Sequence, residues 1–223
     1  MPDGQYSFYL HSDDRTDIAA MATISTISQP LRGEFIRTAA TAGAVVYQVD
    51  ARLPALIPVF FAGQLSAVRL CAVMALVSGT WSSLTGLPDE PENGEAALPV
   101  SPETEYQRRR YTLTLQNGRS GERVESVLTE ASSRLRGDLL RNLIITGLAL
   151  HTTAPELPRL LASMPVPPTS VSELQALVQQ MAGTADVSRA AAAVPDTPAT
   201  SAVPVSGPDT REIKKNMRRA FGD

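Results

Sequence analysis

Leu31-Arg32-Gly33-Glu34 reappears as Leu135-Arg136-Gly137-Asp138, 104 residues further along the chain. The same offset lays Arg37 on Arg141, Gly43 on Gly147, Leu53-Pro54 on Leu157-Pro158 and Gly79 on Gly183. A register held over so many positions identifies a repeated structural unit, and an internal repeat decides the architecture before any local pattern does. The 223 residues therefore carry two copies of one fold, and the chain supplies its own pseudo-dimer.

Each copy reads as a strand, two helices and a shorter helical hairpin. Tyr6, Phe8 and Leu10 alternate with Ser7, Tyr9 and His11, and Tyr111, Leu113 and Leu115 alternate with Thr112, Thr114 and Gln116. That period of two predicts strands with one apolar and one polar face. The strands align with one residue of slippage relative to the rest of the repeat, which an insertion in the following turn explains. Asp13-Asp14 in one copy and Asn117-Gly118 in the other mark that turn.

A first helix follows, with Ile18, Met21, Ile24 and Ile27 as its apolar face in copy one and Val124, Val127, Leu128 and Ala131 in copy two. The second helix opens at the Leu-Arg-Gly triplet and is apolar enough to be mostly buried. Glycine in a helix costs about 1 kcal/mol relative to alanine, so its recurrence at Gly43 and Gly147 predicts a close crossing with another helix. Leu-Pro starts the next short helix, and a last amphipathic one is expected to end at Gly79 or Gly183.

Composition divides the chain further. The first repeat with its cap spans 1–83 and the second 105–183. Between them, 84–104 is rich in proline and acid, the signature of a linker, and 184–209 reads as a disordered linker. The end, 210–223, is basic and amphipathic. On a helix Ile213, Met217 and Phe221 fall on one face, with Lys214, Lys215, Asn216, Arg218 and Arg219 around them, in outline a tethered binding peptide.

The net charge of −3 hides local fields, with acids clustered at 89–103 and Arg108-Arg109-Arg110 immediately after. One cysteine, Cys71, forms no internal disulfide, and no clean apolar span or cleavable signal is read, so a cytoplasmic protein without a membrane segment is expected. His11 and His151 sit in unlike places. Metal-ligand spacing, a phosphate-cradling glycine loop and a nucleophile elbow are all missing from the sequence, so no catalytic residue, metal or cofactor is expected.

A strand followed by two such helices cannot bury its faces alone, whereas two copies can. Antiparallel pairing of the strands covers the helices with the apolar face and points Ser7, Tyr9, His11, Arg110, Thr112, Thr114 and Gln116 outward. A two-stranded ribbon of that kind fits the major groove of double-stranded DNA, where hydroxyl, amide and guanidinium groups read base edges. The second-helix starts, with Arg32 and Gly33 or Arg136 and Gly137, would then meet flanking phosphates. The expected fold class is mainly α: tandem ribbon-helix-helix units with helical caps, joined as an intrachain pseudo-dimer, plus linkers.

The chain resembles the ribbon-helix-helix DNA-binding proteins and, more narrowly, the ParR adaptor family of plasmid partition systems. The resemblance rests on Arg37-Thr38-Ala39-Ala40-Thr41-Ala42-Gly43 with Arg141-Asn142-Leu143-Ile144-Ile145-Thr146-Gly147, on the proline-led extension behind each, and on Lys214-Lys215-Asn216-Met217-Arg218. It implies a non-enzymatic adaptor that binds centromere-like DNA repeats through its ribbon and self-associates along them. Its C-terminal peptide would hold an actin-like ATPase filament of the ParM type, and repression of its own operon is a corollary. The chain departs from the family's usual form in carrying two copies of the fold. Alternatives are a conjugation accessory protein similar to TraY, a transcriptional repressor, or a helical scaffold with a partner-binding tail.

Overall fold

The two alternating segments form strands and pair with each other. In the computed structural model, which describes residues 4–80 and 107–192, β1 (Gln5–His11) and β2 (Arg108–Thr114) make an antiparallel ribbon. Its register sets Ser7 opposite Thr112 and Phe8 opposite Tyr111. Phe8, Leu10, Leu113 and Leu115 are buried and Tyr6 and Tyr111 half-buried, all on one face, and the Phe8 and Tyr111 rings stack with centroids 5.2 Å apart. An isolated two-stranded ribbon is marginal in water, so the helices behind it are a condition of its existence. The expected linker 84–104, most of 184–209 and the whole tail 210–223 lie outside the described residues.

Eight α-helices follow the strands among the described residues: α1 (Arg15–Ser25), α2 (Arg32–Val49), α3 (Leu53–Phe60), α4 (Ala67–Ser78), α5 (Arg119–Glu130), α6 (Arg136–Thr153), α7 (Leu157–Ser163) and α8 (Val171–Ala192). The order strand, helix, helix, cap is thus repeated. Both repeats fall in one unit, Met1–Arg189, and their apolar side chains merge in one core. Proline at the first turn of α3 and α7 (Pro54, Pro158) stands where a missing N–H is harmless.

At the centre α2 crosses α6, each buried on all sides over a long run: Ala39–Val46 in one and Leu143–Leu150 in the other. The crossing is reciprocal. A Cβ on Gly43 would collide with the backbone carbonyl of Leu143, and one on Gly147 with that of Ala39. Leu143 and Ala39 are themselves equivalent positions of the repeat, so the two contacts are one contact seen twice across a pseudo-two-fold axis. The caps are exchanged about the same axis: α7 packs chiefly on α2 of the other repeat, and α3 on α6.

Three expectations need correction. In α1 the buried positions are Asp17, Ala19, Ala20 and Ile24, while Ile18, Met21 and Ile27 are only half-buried. The helix is rotated toward its alanines because small side chains let it sit close to the ribbon, and Ile27 falls beyond the helix end. Ala131, likewise, is the residue that ends α5 and not part of its face. Finally, α8 does not stop at Gly183. Gly79 ends α4 in the left-handed conformation at φ 74°, with the Thr80 amide donating to the Ala75 carbonyl at 3.0 Å, whereas Gly183 lies inside a helix that continues to Ala192.

Gly43→Ala and Gly147→Ala should each destabilise the protein by about 3 kcal/mol, because backbone meets the added methyl and cannot rotate away. Gly33→Ala, whose Cβ would find its nearest neighbour at 3.7 Å, should be neutral or stabilising by about 0.5 kcal/mol. Urea unfolding of the three variants checks both expectations.

Candidate nucleic-acid interface

Pleating decides which side chains leave the core. The outward face of the ribbon carries Gln5, Ser7, Tyr9 and His11 from β1 and Arg108, Arg110, Thr112 and Thr114 from β2, paired across the strands as Gln5 with Thr114, Ser7 with Thr112, Tyr9 with Arg110 and His11 with Arg108. Six of the expected contact residues, Ser7, Tyr9, His11, Arg110, Thr112 and Thr114, therefore share one surface. Gln116 lies exposed two residues beyond the end of β2, after the buried Leu115, whose amide donates to the Gly4 carbonyl at 3.3 Å. Two outward residues were missed, Gln5 and Arg108. The signal was present, since each stands two residues from a residue already assigned to that face. The run Arg108-Arg109-Arg110 is split by the same rule: Arg109 takes the opposite parity and lies 5.3 Å from the Tyr111 ring centre.

The face is organised. The Arg110 guanidinium donates to Ser7 Oγ from Nε at 3.2 Å and from Nη2 at 2.9 Å. Arg108 stacks over the Tyr9 ring, 3.5 Å from its centre, a favourable cation–π placement. Both arginines are exposed, so these contacts position the guanidinium groups without removing them from solvent.

Both second helices pack on the ribbon, α6 on β1 and α2 on β2, but the glycine at the helix start touches it in one repeat only. The Gly137 backbone lies against Ser7, where a Cβ would be 3.4 Å from the Ser7 carbonyl oxygen; Gly33 is exposed and has no such neighbour. Arg32 and Arg136 are bound to the turn before them. Arg32 Nε donates to the Ile27 carbonyl at 2.8 Å and Nη2 to that of Ser25 at 3.2 Å, and Arg136 Nε donates to the Ala131 carbonyl at 3.2 Å. Each thus closes the connection between the first and second helix of its repeat.

The flanks of the ribbon differ. Beside His11 and Arg108 a cleft of about 490 Å³ is lined by Asp13, Asp14, Asp17 and Asp138 around Arg141. Asp17 is fully buried. Its carboxylate accepts from the His11 amide at 2.9 Å and from Arg141 Nε at 2.7 Å, while Asp14 lies 3.3 Å from Arg141. Burial is the strongest influence on Asp17 and holds its pKa above the ordinary aspartate value; the His11 amide and Arg141 pull it down. Neither Asp17 nor its pairing with Arg141 was singled out from the sequence. A lone acid in phase with Ala20 and Ile24, and an arginine within an otherwise apolar helix, were the available clues.

At the equivalent place on the other flank the ion pair is absent. Gly121 stands where Asp17 would be, and its Cβ position is filled by the Gln116 carbonyl. Arg37, the counterpart of Arg141, turns to Glu34 of its own helix at 2.6 Å. The cleft here, about 320 Å³, is lined by Arg37, Arg119 and Arg159 with Glu34 as its one acid.

The family model for plasmid stability protein matches residues 4–74 and 109–178. This chain belongs to the plasmid stability protein family. The two matched regions fall on the two strand-helix-helix-cap units, so the repeat found in the sequence is the family unit occurring twice. Comparisons with curated proteins and with solved structures find no match. Membership assigns the protein a role in plasmid maintenance, and that role together with the helical fold is consistent with a non-enzymatic protein. Among the described residues no group of acids, histidines and cysteines could hold a metal ion, and no helix is long and apolar enough to cross a membrane.

Arg141→Ala should destabilise the protein by roughly 3 kcal/mol at neutral pH, since it strands a buried carboxylate. Losing Arg141 raises the folded-state pKa of Asp17 further, so the folded state holds its proton to higher pH than the unfolded chain and the variant loses stability as pH rises. The deficit should therefore shrink near pH ~4, close to the ordinary aspartate pKa. Urea unfolding of wild type and variant at the two pH values measures it.

Proposed function

We propose that this plasmid stability protein is a segregation adaptor of the ParR kind. Its ribbon binds centromere-like repeats in double-stranded DNA, copies self-associate along those repeats, and the C-terminal peptide couples them to an actin-like ATPase filament of the ParM type. The observation that carries the reading is the antiparallel ribbon, held by one core, whose outward face presents hydroxyl, amide, aromatic and guanidinium groups and, among the described strand residues, no carboxylate. Such a ribbon has the width and chemistry of a major-groove reader. The fold is then a fused ribbon-helix-helix dimer with caps.

Repeated sites matter physically because many tails held on one DNA bind a filament at high effective concentration, so weak single contacts add into a stable grip. ATP hydrolysis belongs to the filament protein. Where the repeats overlap a promoter, occupancy also represses the operon. The adaptor acts in the cytoplasm, where the plasmid is.

Co-sedimentation of the full chain with the ATPase of its operon and DNA carrying the upstream repeats tests the proposal, with and without residues 210–223. The full chain should bridge DNA to filaments and the truncated chain should bind DNA only. DNA binding by both and filament binding by neither would favour a TraY-like or repressor role. Arg110→Ala and Thr112→Ala should each weaken specific binding by about 1–3 kcal/mol without changing stability, as measured by titration against the repeat and against unrelated duplex. A helical scaffold would tolerate both substitutions.

A further inference from the structure

The pseudo-two-fold axis passes through the ribbon, and the side chains it exchanges are not alike. Tyr6, Phe8 and Leu10 occupy the same inward positions as Tyr111, Leu113 and Leu115. That correspondence places the axis at the Ser7–Thr112 pair. On the outward face it exchanges Arg110 with Gln5 and Tyr9 with Thr114. One half of the ribbon therefore presents Arg110 and Tyr9, with Arg108 stacked on the tyrosine. Among the described strand residues, the other half presents the Gln5 amide and the Thr114 hydroxyl.

The flanks are unequal in the same sense. The arginine half ends beside Asp13, Asp14 and Asp138, which disfavour a phosphate backbone, whereas the Gln5–Thr114 half ends beside Arg119 and Arg159, which attract it. In a ribbon built from two identical chains the halves must match, and the DNA site mirrors that symmetry. Fusion of the two repeats in one chain has released this ribbon from the constraint.

We infer that the chain recognises a non-palindromic duplex site in one fixed orientation, with Arg110 reading a guanine in one half-site and Gln5 an adenine in the other. The chemistry of the pairings is ordinary: guanidinium to guanine O6 and N7, side-chain amide to adenine N6 and N7. The Gln5 half supplies the stronger backbone grip and the Arg110 half the stronger base discrimination. This rests on the reading of the ribbon as a DNA-binding surface and specifies the symmetry of the site it takes.

Selection of duplexes from a random library with the full-length chain tests it. The enriched site is then compared, by fluorescence anisotropy, with two palindromes made by duplicating either half. The expected result is an asymmetric consensus bound at least about tenfold more tightly than either palindrome. Arg110→Ala should relax the sequence preference in one half only, and Gln5→Ala in the other half only. Both residues are exposed, so stability stays at the wild-type value. A palindromic consensus, a palindrome bound within about twofold of the enriched site, or variants that relax both halves equally would overturn the inference and leave DNA binding standing. Failure to enrich any duplex would remove the DNA-binding reading and the inference with it.

Discussion

The close approach of α2 and α6 is the contact on which everything else rests. Two glycines, Gly43 and Gly147, let each helix lie against the other's backbone, at Leu143 and Ala39. The conformational cost is about 1 kcal/mol per glycine, and it is offset by burial of both helices on every side. Because the same contact occurs twice, it also fixes the pseudo-two-fold axis. The axis in turn sets the antiparallel pairing of β1 with β2 and sends each cap onto the opposite repeat. Neither repeat retains a core of its own in this arrangement.

One chain holding both halves changes what symmetry demands. In the α2–α6 crossing the halves remain equivalent, since a substitution in one glycine would meet the same backbone as in the other. At the ends of the ribbon they have separated. Copy one buries Asp17 against Arg141, an ion pair that ties the first helix of one repeat to the second helix of the other. Copy two has Gly121 there, and Arg37 is held by Glu34 instead. The consequence is an acidic cleft at one end of the ribbon and a basic cleft at the other, on a scaffold whose centre is still two-fold.

The family match to plasmid stability protein covers both repeats and leaves out the stretch between them and the C-terminal segment. The shared unit is thus the strand-helix-helix-cap unit. The outward face of the ribbon arrays its polar groups in register across the two strands. Arg110 held by Ser7, and Arg108 held over Tyr9, are pre-positioned to donate without first losing rotamer freedom.

Much of this was determined by the amino-acid sequence alone. The 104-residue offset, the alternation at 6–10 and 111–115, the paired glycines and the Leu-Pro starts are local or periodic signals, and they specify elements, repeat and inward faces. Only tertiary structure decided which equivalent residues stay equivalent. Arg32 and Arg136 look like free helix-start cations until the preceding turn folds back onto them, and Asp17 looks like a surface acid until Arg141 arrives from 124 residues away. Gly79 and Gly183 occupy the same place in the repeat, yet one ends a helix and the other does not. Periodicity reports which face of an element is apolar; it carries no information about what lies opposite, and a charge, a cap or a turn is defined by what lies opposite.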